Sequence, residues 1–295
     1  MAPHPPFKEL EASRPPWNSA VSPHFTQTLK PDWKIGDGAY RPNGQPSEHI
    51  SIDPNADTRE PADNYKLLIS AIVPRPIGFI STRSADGSAT NVSPFSFFNI
   101  VAADPPMFAF GVNGLKDVNG FKGVNGFEPT NNTRKDTLYN LFETGECVIN
   151  VISEDYVDAA NMTSIDAPYG VSEFDIAGLT RGEDTQQVRA PRVKEAVFSV
   201  EAKVVYKREF TSRRGDPDQA AATIFIVEGV HFWAREDALN AEKNVFEIDK
   251  LRPVSRLGGI TYTRITDMFE LPRRAWTDLS AEEKQLVADR AKERE

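Results

Sequence analysis

Residues 71–82 read AIVPRPIGFIST, and after a short polar break residues 89–112 read ATNVSPFSFFNIVAADPPMFAFGV. Ile, Val and Phe dominate both stretches, and such side chains favour an extended, pleated chain. A β-rich run is therefore expected from Ile69 to Ile80. The break, Ser84-Ala85-Asp86-Gly87-Ser88, carries an Asp-Gly pair and reads as a hairpin loop. Pro94, Pro105 and Pro106 mark interruptions in the return run, because proline cannot donate to a strand ladder.

Downstream, the texture stays β-rich. Three similar hexads occupy 111–128: GVNGLK, DVNGFK and GVNGFE. Three are too few for a solenoid, and Asn-Gly pairs favour tight turns. The segment reads as a glycine-rich excursion, either an inserted surface loop or a flap over a site. Thr133 or Asp136 can cap a helix carrying Leu138, Leu141 and Phe142, and Gly145 suits its end. Cys147–Ile152 reads as a strand and Ser153–Asn161 as a second short helix. After a polar stretch near 181–190, AVFSVEAKVVYKREF (196–210) and ATIFIVEGVHFWARE (222–236) alternate as two long strands, joined through Arg213-Arg214-Gly215-Asp216-Pro217. LRPVSRLGGITYTR (251–264) closes the body. Ser280 and Glu283 form a capping-box pattern before a charged C-terminal helix. Many strands, few helices and hairpin-length turns indicate a mainly β protein, a barrel with helical additions. The alternation that a doubly wound sheet needs is missing.

Upstream, eleven of the chain's 22 prolines fall between Pro3 and Pro61. Residues 1–60 read as an extended arm. It is either a disordered tail or a strap wrapping the body or a partner subunit, since Trp17, Phe25, Trp33 and Tyr40 are costly to leave in water. The organisation expected is arm 1–60, barrel domain 61–265 with the insert 111–128, and helical tail 266–295.

Composition removes several functions. The 295 residues carry 34 Lys and Arg against 43 Asp and Glu, a net charge of −9. An acidic chain without a long basic run is poorly suited to nucleic acid. Its single cysteine forbids an internal disulfide and fits a reducing, cytoplasmic setting. No apolar run approaches the ~18 residues of a membrane span, and no secretory signal pattern opens the chain. Four histidines and one cysteine leave little for a metal site. Nucleophilic hydrolysis wants a histidine base, yet only His231 lies in the body, on a predicted strand. Cys147 lacks a basic neighbour and is expected to face a packed interior. Gly-x-Ser-x-Gly, His-Glu-x-x-His, Cys-x-x-Cys, phosphate-loop and Gly-x-Gly-x-x-Gly patterns are all absent. What remains is a concentration of small polar residues among apolar ones from Arg75 to Asn99, and the cluster Thr133-Arg134-Lys135-Asp136-Thr137 at a helix start. The cluster can seat a phosphate dianion.

Those pieces resemble a known family. Arg75-Pro-Ile-Gly-Phe-Ile-Ser-Thr82, Gly87, Asn91-Val-Ser-Pro-Phe-Ser-Phe-Phe-Asn99 and Asp104-Pro-Pro-Met107 look like the signature of the flavin reductase-like, FMN-binding split-barrel proteins. More narrowly, they resemble the flavoprotein oxygenase branch. Lys135-Asp136-Thr137, Asn140, Glu146-Cys-Val-Ile-Asn150, Arg256-Leu-Gly-Gly259 and Tyr262 are similar to that branch's later motifs, in order over about 65–265.

The resemblance implies a split β-barrel with a few peripheral helices and a homodimer holding non-covalent FMN at the subunit interface. It also implies an oxidoreductase in which NADH or NADPH reduces the flavin and electrons pass to free flavin, oxygen or a partner monooxygenase. It places Arg75, Ser81, Thr82, Asn91, Val92, Ser93, Ser96, Phe98 and Asn99 along the flavin, and Lys135, Asp136 and Thr137 at its phosphate end. No protein residue is expected to be the chemical catalyst, because the cofactor carries the difficult step. Pro94 lacks an amide hydrogen, which leaves Val92, Ser93, Phe95 and Ser96 as backbone donors to the ring. Two alternatives stay open: an oxidase or oxygenase with its own organic substrate, and a non-catalytic electron carrier. A haem role is disfavoured for want of an axial histidine.

Overall fold

The computed structural model describes residues 7–40, 48–113, 135–168, 170–213 and 220–292. It divides into two compact units: Met1–Pro16 with Pro54–Arg264, and Trp17–Asp53 with Ile265–Glu295. In chain order the elements begin with α1 (Phe7–Ala12), β1 (His24–Phe25) and α2 (Pro61–Ala71). Strands β2 (Gly78–Arg83), β3 (Thr90–Phe95), β4 (Phe98–Ala103) and β5 (Pro106–Asn113) follow, then α3 (Asp136–Thr144) and β6 (Glu146–Val151). Short pieces come next: α4 (Val157–Met162), α5 (Glu173–Ala177), β7 (Arg181–Gly182) and β8 (Arg192–Val193). The long pair β9 (Phe198–Thr211) and β10 (Ala220–Ala234) precedes α6 (Ile248–Leu251), β11 (Val254–Arg256), β12 (Tyr262–Arg264), β13 (Asp267–Met268) and α7 (Ala281–Lys292). Among the described residues no helix is long and apolar enough to cross a membrane.

The first unit is mainly β. Seven strands form one sheet in the order β3-β2-β6-β9-β10-β5-β4, and every ladder in it is antiparallel. Its two edge strands, β3 and β4, are consecutive in sequence and joined by only Ser96 and Phe97. A two-residue link spans under about 11 Å even when extended, so the sheet has to curl until its edges approach. The Gly111 amide donates to the Phe97 carbonyl at 2.8 Å and fastens this corner to β5.

Alternation explains the core. Phe108, Phe110 and Val112 of β5 and Thr223, Phe225 and Val227 of β10 point inward, with half-buried or exposed residues between them. Inside the curl they meet Ile80, Phe95, Cys147, Ile149 and Val200, with Leu138 and Leu141 of α3 closing the cluster. β2 is different because it is buried on both faces. Ile80 joins that interior, whereas Phe79 enters a second cluster with Val92, Ile152, Tyr156, Phe174 and Val193. This double burial is why Ile77–Ile80 reads as an unbroken apolar run.

The strand expected over Ile69–Ile80 is shorter than its composition suggests. α2 takes Ile69–Ala71, and β2 starts only at Gly78. Pro61 in the first turn favours the helix start. The Ile72 amide closes the last turn on the Leu68 carbonyl at 3.0 Å. Helix α3 ends as expected at Gly145, in the left-handed region at φ 66°, but its N-cap is Lys135. Thr133 and the hexads beyond Asn113 lie outside the described residues; Gly111–Asn113 complete β5. In the second unit, β1 pairs in parallel with β13. The capping box forms there as the sequence predicts: the Ser280 amide donates to Glu283 Oε2 at 2.9 Å, and the Glu283 amide to Ser280 Oγ at 3.2 Å.

Candidate functional site

The two predicted segments meet. The Thr137 hydroxyl, in the first turn of α3, donates to Asn91 Oδ1 at 2.8 Å. The Lys135 ammonium lies 5.8 Å from the centroid of the Phe95 ring. Residues of β3 and the head of α3 therefore share one region of the sheet.

The predicted residues fall into two groups. Ser93, Ser96, Phe98, Lys135 and Asp136 are half-buried and Asn99 is exposed, so these form the accessible rim. Asn99 Oδ1 accepts the Ile100 amide at 2.9 Å. Phe98 lies almost parallel to Phe108, with centroids 6.2 Å apart. Its ring also covers Gly78: a Cβ there would stand 2.7 Å from Phe98 Cδ2, a close approach only glycine permits.

Arg75, Ser81, Thr82, Asn91, Val92 and Thr137 are buried. The Ser81 hydroxyl donates to the Pro191 carbonyl at 2.5 Å. Thr82 Oγ1 donates to Asn91 Oδ1 at 2.8 Å and accepts from Asn140 Nδ2 at 2.9 Å. The Arg75 guanidinium donates to the carbonyls of Ile69 (2.5 Å), Ile72 (2.8 Å) and Leu257 (2.9 Å), and to Ser96 Oγ (3.4 Å). Burial lowers its pKa below the usual arginine value. It fastens the end of α2 to the Arg256-Leu257-Gly258-Gly259 turn and stands directly behind Ser96.

The Val92 amide, expected to be a donor to a ligand, donates instead to Glu173 Oε2 at 3.3 Å. Amides in a strand alternate between its two edges. Since the Val92 amide turns to Glu173 and away from β2, the amides of Ser93 and Phe95, one and three residues further on, turn the opposite way, to the β2 side. Ser96, past the end of the strand, is not bound by that alternation.

A search with known families finds the flavin reductase like domain over residues 70–253. The chain belongs to this family. A protein of Halalkalibacterium halodurans whose function is uncharacterised is 35% identical over 219 residues, covering 74% of this chain and 95% of that one. Among solved structures, nitrilotriacetate monooxygenase component B from Bacillus cereus is 33% identical, with a TM-score of 0.65, over 77% of this chain and all of that chain. The 2-nitrobenzoate 2-nitroreductase NbaA of Pseudomonas fluorescens is 25% identical, with a TM-score of 0.61, over 79% of this chain and all of that chain.

The flavin reductase-like domain also contains a residue that sequence reasoning passed over. Glu173, at the head of α5, is 5% exposed and contacts both Val92 and Asn91. In the sequence it stands in Val171-Ser-Glu-Phe-Asp175, where a glutamate after serine reads as an ordinary helix start, and nothing local signals burial.

Proposed function

We propose that this chain is an FMN-dependent oxidoreductase whose sheet closes as a split barrel, with NADH or NADPH as electron donor. The observation that carries this reading is the meeting of β3, through Asn91 and Phe95, with the head of α3, through Thr137 and Lys135, in a domain of this family. The donor set suits the cofactor. A tricyclic ring needs flat apolar walls, which Phe97 and Phe98 supply, and a few polar groups at its edge, which Ser93, Ser96 and Asn99 supply. A phosphate dianion is favoured where a cation and the amides of a helix N-terminus converge. Lys135, the N-cap of α3, brings the cation there, and its side chain contains no oxygen to cap those amides.

In this reading Ser93, Ser96, Phe98, Asn99 and Lys135 touch the cofactor. Arg75, Ser81, Thr82, Asn91, Val92, Asp136 and Thr137 hold the wall and the phosphate end in place from behind or beside them. When bound, FMN would supply the hydride acceptor and the onward electron carrier. The protein's task is to keep the two rings at stacking distance. A homodimer with the flavin at its interface is supported by an uncovered apolar face. Tyr206 and Ile226 sit opposite one another in the β9–β10 ladder, with Ile224 two residues along. Tyr206 and Ile224 are 49% and 40% exposed. The similarity to a monooxygenase component B supports delivery of electrons to a partner oxygenase. The similarity to a nitroreductase supports a second reading, in which an organic compound is reduced directly.

An anaerobic titration tests the proposal. The protein loaded with FMN is expected to bleach on addition of NADH or NADPH, and Lys135→Ala to retain FMN less well. Protein that binds no FMN at any concentration removes the basis of the reading. Bleaching that depends on an added nitroaromatic compound favours the second.

A further inference from the structure

We propose that Glu173 is a positioning residue for the flavin site, holding the Asn91–Val92 segment of β3 in register with the head of α3 more firmly when ionised than when protonated. The inference rests on the flavin reading above and deepens it.

The geometry is a chain of hydrogen bonds across three elements. Glu173 Oε2 accepts from the Val92 amide at 3.3 Å and from Asn91 Nδ2 at 3.4 Å. Asn91 Oδ1 accepts from the hydroxyls of Thr82 and Thr137, each at 2.8 Å. Two hydroxyl donors on Oδ1 oblige the Asn91 amide nitrogen to face the carboxylate. An ionised carboxylate is acceptor-only and satisfies both donors. Thr137 adjoins Lys135 and Asp136, so the orientation of Asn91 fixes the turn assigned to the phosphate. α5 is itself clamped to β3 one residue earlier, where Thr90 Oγ1 lies 3.1 Å from Ser172 Oγ and accepts Arg181 Nε at 3.0 Å.

At 3.3 and 3.4 Å the two hydrogen bonds at Oε2 are longer than usual for N–H···O, and an ionised acceptor strengthens each relative to a neutral one. A proton on the carboxyl removes that assistance, and placed on Oε2 it opposes two groups that already donate. Burial pushes the carboxyl up to about 7 and the Asp136 carboxylate pushes the same way, while the backbone amides of Glu173 itself and of Val92, and the Asn91 side chain, oppose both. The other charged groups nearby are engaged or exposed. Asp175 of α5 pairs with Arg181 of β7 at 2.7 Å, Arg83 of β2 pairs with Glu183, and Asp158 of α4 is exposed. β3 itself carries no charged side chain.

The sign follows from linkage. If the flavin-competent arrangement prefers ionised Glu173, binding lowers the Glu173 pKa. Affinity is then full above neutrality and falls as pH drops through it, by up to about tenfold for each unit of that lowering. The second ionisation of the FMN phosphate, near about 6, also weakens binding in acid, but equally in wild type and variant.

The experiment is an FMN titration of the full chain by fluorescence quenching from pH 6 to pH 8, with wild type, Glu173→Gln and Glu173→Ala. Glu173→Gln can present its carbonyl oxygen to the same two donors and cannot ionise. It is expected to match the wild type within about twofold at pH 8. Between pH 8 and pH 6 the wild type is expected to lose about three- to tenfold more affinity than Glu173→Gln. Glu173→Ala is expected to bind weakly throughout. Superimposable profiles for wild type and Glu173→Gln, or a wild type that binds more tightly in acid, overturn the inference and leave the flavin reading standing. Absence of FMN binding by all three at every pH refutes the flavin reading itself.

Discussion

Replacing Glu201 with glutamine should destabilise the sheet by roughly 2–6 kcal/mol. Glu201 lies on β9, fully buried, in the alternating run around Val200 and Ala202. It answers four donors. Oε1 accepts the Gln186 amide at 2.8 Å and Trp233 Nε1 at 2.7 Å; Oε2 accepts the amides of Gln187 and Val188 at 2.5 and 3.1 Å. Burial works to raise its pKa, but the hydrogen bonds from Trp233 and the three amides prevail and hold it below the usual carboxylate value. In Glu201→Gln one oxygen becomes an NH2 group facing two donors. Each stranded buried donor costs about 1–3 kcal/mol, which gives the total above. For a domain of this size that is roughly 4–24 °C in Tm. The pH dependence has a definite sign. A folded pKa below the unfolded value near 4.5 means stability that is fully present above that value and lost as pH falls through the folded one. The gap between wild type and Glu201→Gln, read from urea unfolding, should therefore stay constant from pH 8 to about 5 and narrow in stronger acid. A gap under about 1 kcal/mol at pH 7, well short of two stranded donors, or one that widens in acid, would refute the reasoning.

Two further outcomes follow from packing. Gly78→Ala puts a methyl group 2.7 Å from Phe98 Cδ2, so the ring must leave its place against Phe108; unfolding experiments should show a loss of about 1–3 kcal/mol, and an FMN titration should show weaker retention. Cys147 is fully buried and its thiol is pushed up to about 12, chiefly by burial; at pH 8 a thiol reagent should modify it only after denaturant is added, and rapid labelling of the folded protein would contradict the packing described.

Much of the fold is legible in the sequence because alternation is a local signal. β9 and β10, the hairpin at Gly87, the end of α3 at Gly145 and the Ser280–Glu283 box all follow from spacings within a few residues. The beginning of β2 is not legible, because Leu67-Leu68-Ile69 suits a helix or a strand equally. The guanidinium of Arg75 decides it, binding the carbonyls of Ile69 and Ile72 where the helix ends and, from far along the chain, that of Leu257. The position of Glu173 is likewise invisible, since its partners Asn91 and Val92 are about eighty residues away in the chain and no periodicity encodes that contact.

The division of the motif residues into rim and support has a physical origin. β2 and its neighbours have apolar clusters on both faces, so a polar side chain on these strands cannot reach water and must find partners inside. Ser81, Thr82, Asn91 and Asn150 do so. Asn150 Oδ1 accepts the Val193 amide at 2.9 Å and the Ser199 hydroxyl at 2.8 Å, while its Nδ2 donates to the Phe79 carbonyl at 2.9 Å. A run of alternating small polar and apolar residues such as Asn91–Asn99 thus mixes two roles in one string. The buried members fix the backbone because each unmade bond would cost a desolvated group. The accessible members, Ser93 and the residues from Ser96 to Asn99 at the β3–β4 corner, lie outside the second apolar cluster, and in the proposed reading they are the ones that meet the ligand. A substitution such as Thr82→Val therefore acts on the rim without touching it, by releasing Asn91 from one of the two hydroxyls that set its orientation.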